Sequence, residues 1–455
     1  MNSFRYSLRV NLLNLRHNYW FIPLLMMVGA MLLASIMLEL DRRINTKTLE
    51  ALGLFYDGDI DGERLLLATI AGSMITVAGV VFSIVMVALS FTSTQSGPRL
   101  LINFMRDRGT QIVLGVFTAT FIYSLLVLRT IRAADSENGN LPHLSVTVGI
   151  VLAVLSFGVL IYFIHHTAEA IQIPNLIARV GSDLHEAVHA NFPQATASEL
   201  NSPYPAIEQT IAELPYPLTE LIKSPRSGYL RLIDFGMLAE IAISHNYVIW
   251  VRHHPGDFVS AGGTLAKIWS EKPIEATTKA DLEIAFVTDT HRSPDYDMEF
   301  LFNELVEVGL RAISPAINDP FTAMSCLDWL GAALCQIAER QLPSPYHYDE
   351  NGILRLICYA PSFKGLMDDA FNQLRQYGQS SVAVTIRLLE TLQTIAERLY
   401  RIEDFEVVKR HASMTLHGST LTPLEATDRE DIESAYQAVI DTLEQRKTLV
   451  GSAEA

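Results

Sequence analysis

Ser73, Thr76, Val80, Ser83, Val87, Ser90 and Thr94 recur three and four residues apart, so on an α-helix they form one stripe. They lie within the 34 uncharged residues between Arg64 and Arg99. Gly72, Gly79, Met86 and Ser93 run beside them at intervals of seven. A helix that only sits in lipid needs no such face; small and hydroxylated residues serve close helix packing or a wet path. Around an axis shared by several copies, the hydroxyls of Ser73, Thr76, Ser83, Ser90 and Thr94 would replace part of an ion's hydration shell. Val80 and Val87 would form apolar constrictions that gate by dewetting. Arg99, Arg106 and Arg108 follow the stripe and would favour anions at the inner mouth. The competing reading is packing inside a bundle, where small residues permit close approach and Ser and Thr bond across helices.

Two other clusters are candidates for chemistry. His185-Glu186-Ala187-Val188-His189 matches H-E-x-x-H. On a helix both imidazoles would share a face and bind zinc, with Glu186 activating water. Asp183 and Asn191 stand where zincins place uncharged and apolar neighbours, and no third ligand follows at a fixed spacing. The match reads as fortuitous, and no metal is expected. Ser314, Pro315, Asn318 and Asp319 lie in a connection between two helices. Pro315 and Pro320 break helix, and Asn318 or Asp319 caps the next one. That connection builds either a ligand or interface site or an elaborate cap. There is no P-loop, no dinucleotide-binding glycine motif and no nucleophile elbow, so neither an enzyme nor a cofactor is expected.

These residues need elements to hold them. A membrane-spanning helix takes about 20 mostly apolar residues, and four candidates occur early: Trp20–Leu38, Leu65 to about Phe91, Gln111–Leu128 and Leu144–Ile164. Their central portions carry no Asp, Glu, Lys or Arg, which disfavours a carboxylate-driven transporter. Aromatic anchors (Tyr19, Trp20, Phe91, Tyr162, Phe163) sit near several ends. Basic residues collect before the first span (Arg5, Arg9, Arg16) and between the second and third. Acids dominate between the first and second. Lys and Arg mark the cytoplasmic side, so both termini are expected inside a bacterial inner membrane. The first apolar segment lacks a clear cleavage site and reads as a span, not a signal peptide.

Residues 166–455 hold 22 basic and 40 acidic side chains, a balance of −18. That argues against nucleic acid as a partner. Cys326, Cys335 and Cys358 have neither metal nor disulfide spacing and read as reduced thiols. The sequence divides into a membrane domain (1–170), a helix and Pro-rich linker (171–225), a small β module (226–292) and an α-rich module (293–455). Expected strands are Tyr229–Ile233, Leu238–Ile243, Val248–Arg252, Leu265–Trp269 and Leu282–Thr288, with Ile353–Tyr359 later. Expected helices are Met298–Ile313, Phe321–Arg340, Leu366–Gln376, Val382–Arg401 and Glu430–Leu449. Pro255–Leu265 resembles the Gly-Asp-x-Val-x-x-Gly-x-x-Leu hairpin of barrel-sandwich domains. Lys267 lacks the context of a modified lysine, so only the hairpin shape is implied. The fold class is thus an α-helical membrane domain of four transmembrane helices plus an α+β cytoplasmic domain. The latter joins a barrel-sandwich-like β module to a helical C-terminal module.

Ala71–Ser83, Ser96-Gly97-Pro98-Arg99-Leu100-Leu101, Pro142–Val146 and the Ala312–Thr322 connection are specific. In them the chain resembles the bacterial family of predicted inner-membrane proteins called domain of unknown function 2254. The resemblance covers most of the chain. It implies an integral membrane protein with a soluble C-terminal region and no catalytic residues.

The expected function is an oligomeric channel-like protein whose stripe lines the pore, with a small ion as permeant and the cytoplasmic domain assembling or gating it. Its partners are the lipid bilayer and further copies of itself. The alternative is a membrane-anchored scaffold or sensor, and more remotely a zinc metalloprotease.

Overall fold

Long uncharged runs form helices because the backbone must satisfy its own polar groups where water is absent. In the computed structural model, which describes residues 20–43, 60–96, 107–137, 142–170, 172–194, 204–292 and 297–453, four such helices come first. They are α1 (Phe21–Arg43), α2 (Ile60–Ser96), α3 (Arg108–Glu137) and α4 (His143–Ala170). The chain forms two compact units, 1–175 and 176–455.

In the first unit α3 packs against α1, α2 and α4. Gly115 lets α1 come close: a Cβ there would meet the Met26 Sδ at 2.4 Å. Ala78, Val81, Val85 and Ala88 of α2 pack on Val113 and Phe117 of α3 and Phe163 of α4. Tyr123, Val127 and Ile131 anchor a second cluster with Ala34 and Leu67. Thr120 and Ser156 share a buried hydrogen bond of 3.0 Å between α3 and α4. Polar groups join the helix ends. Asp41 accepts from the Leu144 and Ser145 amides at 3.0 and 2.9 Å. His143 meets Glu63 at 2.7 Å, and His166 meets Asp107 at 2.8 Å.

The second unit contains helices and two sheets. After α5 (Ile173–Asn191) and the short α6 (Ile207–Ala212) come β1 (Leu218–Lys223), β2 (Gly228–Ile233), α7 (Phe235–His245), β3 (Val248–Val251), β4 (Phe258–Val259) and β5 (Thr264–Ser270). Then follow α8 (Ala276–Ile284), β6 (Phe286–Asp289), α9 (Met298–Ala312), α10 (Pro320–Ala338), β7 (Tyr346–Tyr348) and β8 (Leu354–Ile357). The chain closes with α11 (Phe363–Gly378), α12 (Val382–Ala396), α13 (Ile402–Thr420) and α14 (Ala426–Ala453). A five-stranded sheet has the order β1-β5-β3-β8-β7, and a three-stranded sheet β4-β2-β6. Among the described strands only β3 and β8 run parallel. Within Pro255–Leu265 the chain passes from the smaller sheet, through β4, to the larger, through β5. Leu230, Leu238, Ile249, Ile268 and Leu356 share one core.

The structure corrects three local expectations. Leu238–Ile243 is not a strand but the middle of α7. Asp234 caps that helix by accepting from the Met237 amide at 2.9 Å, and Asn246 ends it in the left-handed region, φ 57°. Ala, Met, Leu and Glu favour helix there, and Leu238 and Ala242 form its buried face. Leu282–Thr288 divides: Leu282 and Ile284 end α8, and only Phe286–Asp289 is strand. The Pro-rich end of the expected linker (171–225) is not all linker, because α6 and β1 fall in it. Helix α13 adds an element that the sequence reading did not include.

Among the described residues five helices are long and apolar enough to cross a membrane: the first four and Pro320–Ala338. The fifth has the lowest mean hydropathy, 1.3 against 2.0 to 2.6.

Candidate functional site

On α2 two faces alternate. Leu67, Ala71, Ala78, Val81, Val85 and Ala88 are buried. Two residues further along each step, Ser73, Val80, Ser83, Val87 and Ser90 are exposed, as is Thr76. Two helical positions turn about 200°, so the stripe lies opposite the packed face. A Cβ on Gly72 or Gly79 would meet nothing within 4 Å. Thr76, Gly79, Val80, Ser83 and Val87 line an open concavity of about 690 Å³. The Thr76 hydroxyl donates to the Gly72 carbonyl at 2.8 Å and that of Ser83 to Gly79 at 3.0 Å. Helices α1, α3 and α4 therefore do not seal this face. Of the expected mouth, Arg108 is exposed. Arg99, Arg106 and the Thr94 side chain lie outside the described residues.

The Ser314–Asp319 connection is a cap. Asp319 accepts from the Thr322 amide at 3.2 Å and its hydroxyl at 2.6 Å. Pro320 opens α10, and Asn318 takes the left-handed turn, φ 51°. The Ser314 hydroxyl donates to the Arg311 carbonyl at 2.6 Å. Pro315 and Asn318 are exposed.

His185 and His189 share one face of α5, ring centroids 4.5 Å apart. The His185 Nδ1 lies 2.6 Å from Gln336. The His189 Nδ1 accepts from Arg340 at 2.7 Å. Burial and that guanidinium hold His189 below its ordinary pKa, and the same positive charge opposes a metal cation. Among the described residues no group of three or more His, Cys, Asp or Glu is arranged to hold a metal. Cys326 and Cys358 are buried thiols pushed up to about 12.

A site absent from the sequence reading lies in the second unit. The turn after β3, the start of α9 and the segment after β8 enclose a cleft of about 420 Å³. His253, His254, Asp297, Glu299 and Tyr359 line it. The Tyr359 hydroxyl donates to the Glu299 Oε1 at 2.7 Å. The His254 Nε2 lies 3.5 Å from the Glu299 Oε2 and 3.2 Å from the Asp257 Oδ1. The other Asp257 oxygen takes the His253 Nδ1 at 3.0 Å. Arg292 clamps Asp297 Oδ2 through two nitrogens, at 2.9 and 2.6 Å. Gly256, φ +103°, makes room: a Cβ there would meet the Asp297 carboxylate at 2.0 Å. Burial pushes Asp297 up although Arg292 opposes it. Hydrogen bonding to Asp257 raises His253, and the His253 contact holds Asp257 down against its burial. Burial and the Glu299 carboxylate push the Tyr359 phenol above its usual range. The only local sequence signal was Gly256-Asp257. Glu299 and Tyr359 join it from 42 and 102 positions after Asp257, and no motif spans such gaps.

A family model described as "Predicted membrane protein (DUF2254)" matches residues 16–394. The chain belongs to this family. The DUF2254 match spans α1–α4, the cleft and the Ser314–Asp319 cap. Uncharacterized proteins of Mycobacterium bovis and Mycobacterium tuberculosis are 28% identical over 402 residues, covering 87% of this chain and 75% of theirs. No solved structure matches. As a DUF2254 member with four strongly apolar helices in its first unit, the chain is a membrane protein.

Proposed function

We propose that this protein is an oligomeric inner-membrane channel, built by several copies that set α2 around a common axis with the stripe inward. One observation supports it above others: the stripe lies on the face of α2 that its own bundle leaves open. Glycine and serine there permit close approach between copies. Because the Thr76 and Ser83 hydroxyls donate back to the helix, their lone pairs remain for a passing cation or water. Val80 and Val87 form the dry constrictions.

In this reading four helices cross the membrane. Pro320–Ala338 stays in the second unit, where Gly331 meets Thr391 of α12 and the helix packs on α9. The excess of Lys and Arg in the loops favours both termini and the second unit in the cytoplasm. In this reading the two sheets serve as a barrel-sandwich-like module, and the unit assembles or gates the pore. The test is ion flux through reconstituted vesicles. Ser83→Leu should abolish flux without reducing membrane insertion. A parent protein without flux, or unchanged flux in the variant, overturns the channel.

A second reading, a membrane-anchored sensor, is favoured by the cleft in the second unit. It predicts a ligand for that unit and no flux.

A further inference from the structure

The cleft around Glu299 stands apart from the pore reading. Its charges do not cancel. Asp297 is clamped by Arg292, and Asp257 is paired with His253. Glu299 is left over, and Asp369, outside the lining itself, is near enough to feel its charge. Glu299 has the neutral Tyr359 hydroxyl and His254 as partners. The Asp369 side chain, on α11, makes no hydrogen bond or ion pair with any described residue. It sits in the field of Glu299 and Asp368, opposed by His254 and Arg292. After burial, Glu299 is the main influence that pushes the Asp369 carboxyl up to about 6. Arg292 and His253 are engaged with Asp297 and Asp257, and among the described residues His254 is the basic group left beside Glu299, so carboxylates outnumber basic partners.

The rest of the lining is not polar. Leu232, Phe235, Met298 and Pro343 give it apolar walls. At the charged end the Tyr359 and His254 rings meet, centroids 4.5 Å apart. A volume of about 420 Å³ suits a small organic molecule. A bare inorganic cation would leave the apolar walls unused, and the described residues offer it no ligand set. A neutral or anionic guest would leave the carboxylates unbalanced or worsen their repulsion. An ammonium group with a hydrocarbon body answers both, and an aromatic face beside a carboxylate adds cation–π attraction.

We propose that this cleft binds a small organic cation, a primary ammonium on an aliphatic or aromatic body. The ammonium sits on Glu299, beside Tyr359 and in the field of Asp369, and the hydrocarbon lies on Leu232, Phe235 and Met298.

Calorimetry on the full chain in detergent tests it, with hexylammonium, phenethylammonium and the matching neutral alcohols as probes. At least one ammonium should bind, about tenfold or more tighter than its alcohol. Glu299→Gln should weaken it about tenfold and Tyr359→Phe a few-fold. Affinity should fall as pH drops through about 6, where Asp369 takes up a proton. Three outcomes overturn the proposal: neither ammonium binds, the alcohols bind as well, or folded Glu299→Gln binds as tightly as the parent. If Glu299→Gln does not fold, Asp369→Asn replaces it. Loss of affinity there supports the site, and undiminished affinity overturns it.

Discussion

Val81 and Ser83 stand two positions apart on α2 and face opposite ways. Val81 is 1% exposed, packed with Val113 and Phe117, while Ser83 lies on the open face. If copies meet across that face, Ser83→Cys and Gly79→Cys should form disulfide-linked dimers in membranes under mild oxidation, and Val81→Cys should not. Dimer bands on a non-reducing gel read the outcome. The parent, whose three cysteines are buried or half-buried, is the control. Equal linking at Val81 would mean the packed face had been misassigned.

Gly181 lies under the indole of Trp329, where a Cβ would meet ring atoms at 2.2 and 2.3 Å. The ring is rigid and has no far end to swing aside. Gly181→Ala should therefore destabilise the second unit by about 1–3 kcal/mol, the usual cost of overpacking. Thermal unfolding by circular dichroism checks this, and an unchanged midpoint would show that Trp329 is free to move.

Asp319 caps α10 with both carboxylate oxygens. Asp319→Ala should cost about 1 kcal/mol, and Asp319→Ser should recover most of it, since serine also caps. Should serine fail to recover stability in chemical denaturation, the carboxylate has a role other than capping.

Asp369 has a carboxyl held near 6 in the folded chain against an ordinary 3.8. A folded-state value above the unfolded one means that the group favours folding only when protonated. Stability should fall as pH rises from about 4 to about 6 and stay flat above. Roughly 3 kcal/mol would follow from the full shift, and the half-buried side chain's contact with solvent reduces it to about 1. Asp369→Asn should raise the unfolding midpoint at pH 7.5, with the gain vanishing toward pH 4. A gain of the same size at both pH values would contradict this account.

His189 receives a hydrogen bond from a guanidinium. Added zinc should therefore leave the unfolding midpoint unchanged, and His185→Ala should remove no zinc from the purified protein. A zinc-dependent rise in the midpoint that His185→Ala abolishes would restore the metal reading.

Much of the architecture was legible because it rests on local rules. Apolar length located α1–α4, and the Leu301, Leu305, Val308, Ala312 spacing located α9, whose buried face includes all four. Leu238–Ile243 was misread because Ala239, Ile241 and Ile243 alternate, while Leu238 and Ala242 keep helical spacing. The Asp234 cap and the left-handed Asn246 decide between them. The cleft was illegible. His254, Glu299 and Tyr359 come from three separate segments, and only the parallel pairing of β3 with β8 brings the turn after one beside the end of the other.

From its own order of residues the chain determines that α2 has a small, hydroxylated face three and four residues in period, because a helix turns every 3.6 residues. It also determines that four segments are too apolar for water. Tertiary structure alone decided which face of α2 the bundle buries. Beyond Arg64 both faces of that helix are free of charge, and the choice rests on the fit of Ala78, Val81, Val85 and Ala88 to Phe117 and Phe163. It also decided that the second unit's carboxylates gather in one cleft, since their separation along the chain carries no sign of their nearness in space.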